Sequence, residues 1–296
     1  MRVLVTGGAG FVGNSLVIRL LKDGHQVTSF DRTKYSGLRA DVNEVYGDLN
    51  DSYSIDCYVR ENEYVFNIGG MLGTQETVDN PIPAVQANII GALNVFSSVR
   101  RHSIPMTQIT VGNHWMNNPY SITKSCSERF ALMFNKEHQT QISVVRGLNI
   151  YGPGQKPFPV KKVVPNFVLS ALRGDDLTVY GSGDSKMDMI YVDDAAHVLS
   201  ATMENRTCFD KVIDMGTGIA PSVNEIAQSI ITMTHSQSTL NHVPMRPGED
   251  QLSTVCADPA LMETVLGIKA SSLKSFDEGI VPTIDYYEKW SSKHYK

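Results

Sequence analysis

The sequence predicts an α/β protein, a doubly wound parallel sheet followed by a smaller mixed α/β unit. Three observations carry this. A short apolar strand runs directly into a glycine-rich turn at residues 3–13, Val-Leu-Val-Thr-Gly-Gly-Ala-Gly-Phe-Val-Gly. Strand-like and helix-like stretches then alternate as far as Arg146, the pattern of βαβ units in a parallel sheet. After Arg146 the texture changes: residues 149–165 carry four prolines and two glycines, too broken for a regular element. Short mixed elements follow.

Taken in order, strands are predicted at Arg2–Thr6, Gln26–Phe30, Glu44–Gly47, Tyr64–Ile68, Gln108–Val111 and Ile142–Arg146. Helices fall between them at 11–22, 51–62, 81–101 and 119–137. The first helix rests on Phe11, Val12, Leu16 and Leu20, apolar at helical spacing. No repeat, low-complexity tract or clean linker interrupts the chain.

A glycine turn between a strand and a helix suits a dinucleotide. Its pyrophosphate needs a close backbone and the free N–H groups of a helix N-terminus. Gly7 makes the tight turn, Gly10 clears the place of the phosphates, and Gly13 lets helix and strand pack closely. A second strand ends at Asp31, whose carboxylate accepts the ribose hydroxyls of the adenosine half and repels a 2′-phosphate. NAD is therefore expected over NADP, with Arg32 as the residue that works against this preference.

Composition bounds the rest. The 296 residues are 19% charged with a net charge of −5, so no basic field suggests nucleic acid. No apolar run approaches the roughly 18–20 residues of a membrane span, and residues 1–20 read as a strand start rather than a signal peptide. Cys57, Cys126, Cys208 and Cys256 lie far apart and read as free thiols in a reducing cytosol. The eight histidines show no ligand spacing, so no metal is expected.

The second chemical signal is Tyr120-Ser121-Ile122-Thr123-Lys124. At a spacing of four, Tyr120 and Lys124 share one helical face. A lysine cation beside a phenol favours the phenolate, which makes a base usable near neutral pH. Lys156, Lys161 and Lys162 form a basic cluster that reads as a solvated face.

Together these motifs resemble the extended short-chain dehydrogenase/reductase family, in particular NAD-dependent nucleotide-sugar epimerases and dehydratases of the UDP-glucose 4-epimerase-like kind. The resemblance covers nearly the whole chain: Thr6–Gly13, Asp31, Asp48-Leu49, Asn67-Ile68-Gly69-Gly70, Asn88–Gly91, Tyr120 and Lys124, then Arg146–Gly154, Tyr191–Asp194, Arg246-Pro247-Gly248-Glu249 and Ala257-Asp258-Pro259. It implies a Rossmann-type NAD domain over 1–150, rejoined by 188–215, and a nucleotide-sugar domain over 151–187 and 216–296. It further implies that Phe11, Val12, Asp48, Leu49, Gly69, Gly70, Asn88, Tyr120 and Lys124 meet the cofactor. Asn149, Asn166, Tyr180, Lys186 and Arg246 would meet the nucleotide sugar. Read physically, the guanidinium of Arg246 suits phosphate oxygens through paired, charge-assisted hydrogen bonds.

Three departures stand out. The family places Ser or Thr at the end of the fifth strand; here that position is Val111, with Thr110 one residue early on the opposite face. Thr110 is the candidate catalytic hydroxyl, with Asn113 and His114 as alternative donors. The stretch between that strand and Tyr120 is short, and Met187, preceded by Lys186, stands where the family carries an arginine. The family's dehydratases also have an Asp-Glu pair where this chain has Gly112-Asn113. The resemblance thus implies epimerisation through transient oxidation at C4 of an NDP-hexose. Oxidation, dehydration or decarboxylation of such a sugar, or NAD binding without catalysis, are the alternatives. A homodimer is expected through the helices at 88–101 and 119–137, with Leu93, Phe96, Phe130 and Phe134 as their surplus apolar residues.

Overall fold

The computed structural model describes residues 1–34 and 40–294. Seven strands form one all-parallel sheet: β1 (Arg2–Thr6), β2 (Gln26–Asp31), β3 (Val42–Tyr46), β4 (Tyr64–Asn67), β5 (Met106–Val111), β6 (Ile142–Gly147) and β11 (Val212–Met215). Their order is β11-β6-β5-β4-β1-β2-β3. The chain runs outward from β1 through β2 and β3, then crosses back to β4 on the other side of β1. This reversal makes the β1/β4 junction the switch point, where such sheets open a crevice at the strands' carboxyl ends. Central strands read as continuous apolar runs because both faces are covered; Val3, Leu4 and Val5 of β1 are fully buried.

One face is covered by α1 (Phe11–Lys22), α7 (Val192–Glu204) and α9 (Ala260–Leu266), through Leu16, Val17, Leu20, Val198 and Leu199. The other is covered by α2 (Ser52–Arg60), α4 (Gly91–His102) and α5 (Pro119–His138), through Ile55, Val59, Val95, Phe96 and Phe134. The expected single helix over 81–101 is α3 (Ile82–Val85), a π-helical turn at Gln86–Ile90, and α4. By length and hydropathy Ile82–His102 reaches the size of a membrane span, contrary to the expectation that no run does. Its Ala92, Val95, Phe96 and Val99 lie in the core against the sheet.

The second unit builds on β7 (Asn149–Tyr151), α6 (Val163–Arg173), β8 (Leu177–Tyr180), β9 (Lys186–Met187), β10 (Met189–Tyr191), α8 (Val223–Met233), β12 (Leu240–Val243), β13 (Thr254–Val255) and α10 (Phe276–His294). Its strands pair in parallel twos, β7 with β10, β8 with β12 and β9 with β13. Phe167, Val168, Ile226, Ile230, Ile284 and Tyr287 form its core. The proline-rich stretch read as irregular holds β7 and the start of α6. Pro165 sits in the first turn of α6, where its missing N–H has no intrahelical partner to lose.

Candidate active site

A cleft of about 810 Å³ runs along the carboxyl ends of the central strands and under the second unit. At one end lies the β1–α1 turn. Gly7 takes φ +71° and closes the turn, its N–H donating to the Phe30 carbonyl at 2.8 Å. A Cβ on Gly13 would overlap the Gly7 carbonyl, so helix and turn touch there. Gly10 differs: a Cβ built on it meets only the Gly7 carbonyl, at 3.1 Å. That contact is tight, but nothing else lies within reach, and the space beyond it opens into the cleft. Helix α1 begins at Gly10 with no side-chain cap and no acidic residue in its first turn, so its N-terminal dipole is left for an outside anion.

Asp31 is aimed by three hydrogen bonds. Its Oδ2 accepts from the Ala9 N–H at 3.1 Å, and Oδ1 from the Thr33 N–H and hydroxyl at 2.9 and 3.0 Å. Oδ2 keeps acceptor capacity beyond this. Arg32 is exposed and leans 4.0 Å from Asp48 Oδ2. Phe11, Val12, Asp48, Leu49, Gly69 and Gly70 line the same end. These features, a cleared phosphate cradle and an oriented carboxylate, fit a dinucleotide.

Asn88 does not line the cleft. Buried in the π-helical turn, it accepts from the Met71 N–H at 2.8 Å and donates to the Met71 carbonyl and the Thr123 hydroxyl at 3.0 and 2.9 Å. It ties the Gly70-Met71 turn to α5 rather than offering its amide to a ligand. Beneath the turn, the Thr6 hydroxyl donates to Asn67 at 2.6 Å and Asn67 to Gln108 at 2.7 Å.

Tyr120 and Lys124 both line the middle of the cleft. Asn118 caps α5 by accepting the Ser121 N–H at 2.9 Å, and Pro119 takes the first helical position, where proline is pre-organised. Lys124 Nζ donates to the Ile109 carbonyl at 3.3 Å. Burial lowers its pKa to about 8. Burial also raises the Tyr120 phenol to about 12, so the expectation of a lowered phenol does not hold in this state: desolvation disfavours the charged phenolate. Thr110 contributes to the wall, yet its hydroxyl donates to Glu128 Oε2 at 3.1 Å. Val111 ends β5, and Gly112 and Asn113 follow on the cleft wall. The Asn113 amide donates to the Met116 sulfur at 3.1 Å, a weak acceptor. His114 turns to the Gly112 carbonyl at 3.2 Å.

The far end gathers Asn149, Asn166, Tyr180, Lys186 and Arg246. Arg246 lies over the Tyr180 ring, 5.0 Å from its centroid, and pairs with Glu249. Its Nε is buried with no acceptor among the described residues, a donor suited to an oxyanion. Lys162, read as part of a solvated face, is half-buried in the cleft wall. Burial pulls its ammonium below the ordinary value, with Glu76 and Glu249 opposing the shift and Arg246 adding to it. Sequence reading also missed Asp188, fully buried, which accepts from Thr217, Gly218 and Ala257 and fastens three segments behind the cleft.

The family model for the NAD dependent epimerase/dehydratase family matches residues 3–215. The chain belongs to this family. NAD is its cofactor, and the chain is an enzyme of the nucleotide-sugar epimerase, dehydratase and decarboxylase group. It is 30% identical over 273 residues to a UDP-N-acetyl-alpha-D-glucosaminuronate decarboxylase of Bacillus cytotoxicus, covering 82% of this chain and 83% of that one. It is 26% identical over 320 residues to a dTDP-glucose 4,6-dehydratase of Mycobacterium tuberculosis, covering 98% and 95%. Among solved structures, a UDP-glucose 4-epimerase of Thermotoga maritima with UDP-glucose superposes with a TM-score of 0.91 at 26% identity, covering 98% and 99%.

Proposed function

We propose that this family member is a nucleotide-sugar 4-epimerase. The observation that carries the reading is the wall after β5. Beside Tyr120 and Lys124 it presents Gly112 and Asn113, with no carboxylate for the acid–base work of dehydration at C5 and C6. A 4-epimerase needs less: one base at a sugar hydroxyl, and a sugar that turns over as the ketone.

Bound NAD supplies the hydride acceptor and donor. The chain supplies the rest. Tyr120 accepts the proton of the C4 hydroxyl and returns it after the sugar has turned. Lys124, charged below pH about 8, favours the phenolate from the same helix face. With the Thr110 hydroxyl taken by Glu128, Asn113 on the cleft wall offers an amide donor whose partner is the weakly accepting Met116 sulfur. Arg246 and Lys162 hold the diphosphate, anchoring one end of the substrate while the sugar rotates. The Asn166 amide donates to the Lys162 carbonyl at 2.8 Å and the Pro157 carbonyl at 3.4 Å and steadies the backbone beside them.

A second reading rests on the three lysines at the far end. Lys156, Lys161 and Lys162 all line the cleft, which suits a uronate carboxylate and hence decarboxylation. One experiment separates the two: incubation with a nucleotide-sugar panel, followed by resolution of epimers and mass spectrometry. A mass-neutral epimer supports the first reading, and loss of CO₂ from a uronate supports the second. Stoichiometric NADH without either product overturns both.

We propose a homodimer as well. Phe96 and Phe134 pack within the chain, their rings 5.6 Å apart, so they are not free to form the contact. Ile90, Ile122 and Met133 are exposed on the same helices and supply the apolar surface. Light scattering near 32.6 kDa across micromolar concentrations would count against it.

A further inference from the structure

Asn118 is fully engaged and 1% exposed. Its Oδ1 accepts the Ser121 N–H at 2.9 Å, capping the helix that carries Tyr120 two residues on. Its Nδ2 donates to the Gly248 carbonyl at 3.1 Å, in the turn that begins with Arg246. The partners leave no ambiguity in the amide's orientation: one is a donor only, the other an acceptor only. Gly248 takes φ +80°, and a Cβ built there would lie 3.0 Å from Val78 Cγ2, 3.1 Å from the Thr74 carbonyl and 3.3 Å from Asn118 Cβ. The turn is therefore seated against the NAD-binding half, close to the N-terminus of α5.

As a cap alone, Asn, Asp and Ser are nearly equivalent. Of the three, only Asn reaches across to donate to Gly248: Asp has no donor, and the Ser hydroxyl ends one atom short. A planar amide has no torsion between its oxygen and its nitrogen, so a shift of the Gly248 carbonyl is felt directly at the cap. We propose that Asn118 is a positioning residue that transmits occupancy of the Arg246–Glu249 turn to Tyr120. The inference rests on the reading of Arg246 as a diphosphate ligand. A sugar nucleotide seated on the turn thereby sets the base, whereas a free sugar, making no diphosphate contact, does not.

Hydrogen exchange followed by mass spectrometry tests this on the full chain, with and without UDP as probe. The variants are Asn118→Ser and Asn118→Asp, which keep the cap, and Asn118→Ala, which loses it. In the first two, amides at 119–124 stay protected as in the wild type while exchange at 246–249 quickens about tenfold, the scale of one buried hydrogen bond. UDP slows exchange at 246–249 in the wild type and spreads protection to 119–124; in Asn118→Ser the spread is lost. Turnover at saturation falls in Asn118→Ser while NAD affinity stays unchanged. Equal exchange at 246–249 in wild type and Asn118→Ser overturns the link, as does equal spread of UDP protection. A wild type whose 246–249 amides ignore UDP overturns both the diphosphate reading and the transmission built on it.

Discussion

The Thr110 hydroxyl donates to Glu128 at 3.1 Å, and Glu128 forks to Arg146 at 2.9 and 2.6 Å. The hydroxyl nearest the family's catalytic position is thus part of a buried ion-pair network in the sheet–helix interface. Thr110→Val should cost about 1–2 kcal/mol of stability through the lost bond to a charged acceptor. Turnover should stay within about threefold, under 1 kcal/mol of barrier. Denaturant titration and steady-state kinetics check this; a hundredfold loss of turnover at unchanged stability would return Thr110 to the reaction.

Lys124 carries a cost in the fold. Its pKa is about 8 in the folded chain against an ordinary 10.5. Between those values the unfolded chain binds more protons, so stability rises with pH across that window, and the penalty stands in full below pH 8. Lys124→Met removes the penalty, and the Ile109 carbonyl keeps the Gln108 amide at 2.9 Å. The variant should be more stable than wild type at pH 7 by about 1–3 kcal/mol, with the difference closing toward pH 10, and should be inactive. Paired melting curves across pH read the sign directly.

Tyr120→Phe should lower turnover by about 10²–10⁴-fold, the scale of losing a general base, with NAD and nucleotide binding little changed. In the cofactor-free protein the phenol sits near pKa 12. The wild-type-minus-variant tyrosinate absorbance should therefore show no step below about pH 10. A variant that keeps wild-type turnover on an authentic substrate would sink the mechanism.

The oriented Asp31 carboxylate should favour NAD over NADP by at least about tenfold, about 1.4 kcal/mol. Asp31→Asn should shrink that ratio, because an amide does not repel a 2′-phosphate. Calorimetric titration of both cofactors decides; NADP binding as tightly as NAD to the wild type would give the decision to Arg32.

Two glycines of one motif should fail differently. Gly10→Ala sets its methyl against one neighbour, the Gly7 carbonyl at 3.1 Å, with open cleft beyond, so it should cost clearly less stability than Gly13→Ala while NAD affinity drops more than about tenfold. Gly13→Ala drives its methyl into the Gly7 carbonyl and should cost about 1–3 kcal/mol or more of stability. Similar melting losses in both would show that Gly10 serves packing after all.

Local sequence was enough for the strand–turn–helix around Gly7–Gly13, for Asp31 at the end of β2, and for Tyr120 and Lys124 on one helical face. Each of these depends on backbone geometry over a few residues, and spacing encodes that. Helix 81–101 was legible as a helix but not as an interrupted one, because the π-helical turn answers to Asn88 reaching Met71 and Thr123 in two other segments.

The tertiary structure alone decided which polar groups face the cleft. Thr110 meets Glu128 18 residues on, and Asn118 meets Gly248 130 residues on; no periodicity records such pairs. Lys162 looks like its exposed neighbour Lys161 in sequence, and only the fold half-buries it, near Glu76, Arg246 and Glu249. The same burial moves Tyr120 and Lys124 off their ordinary pKa values, since desolvation is set by everything that packs around a group and not by the residues beside it in the chain.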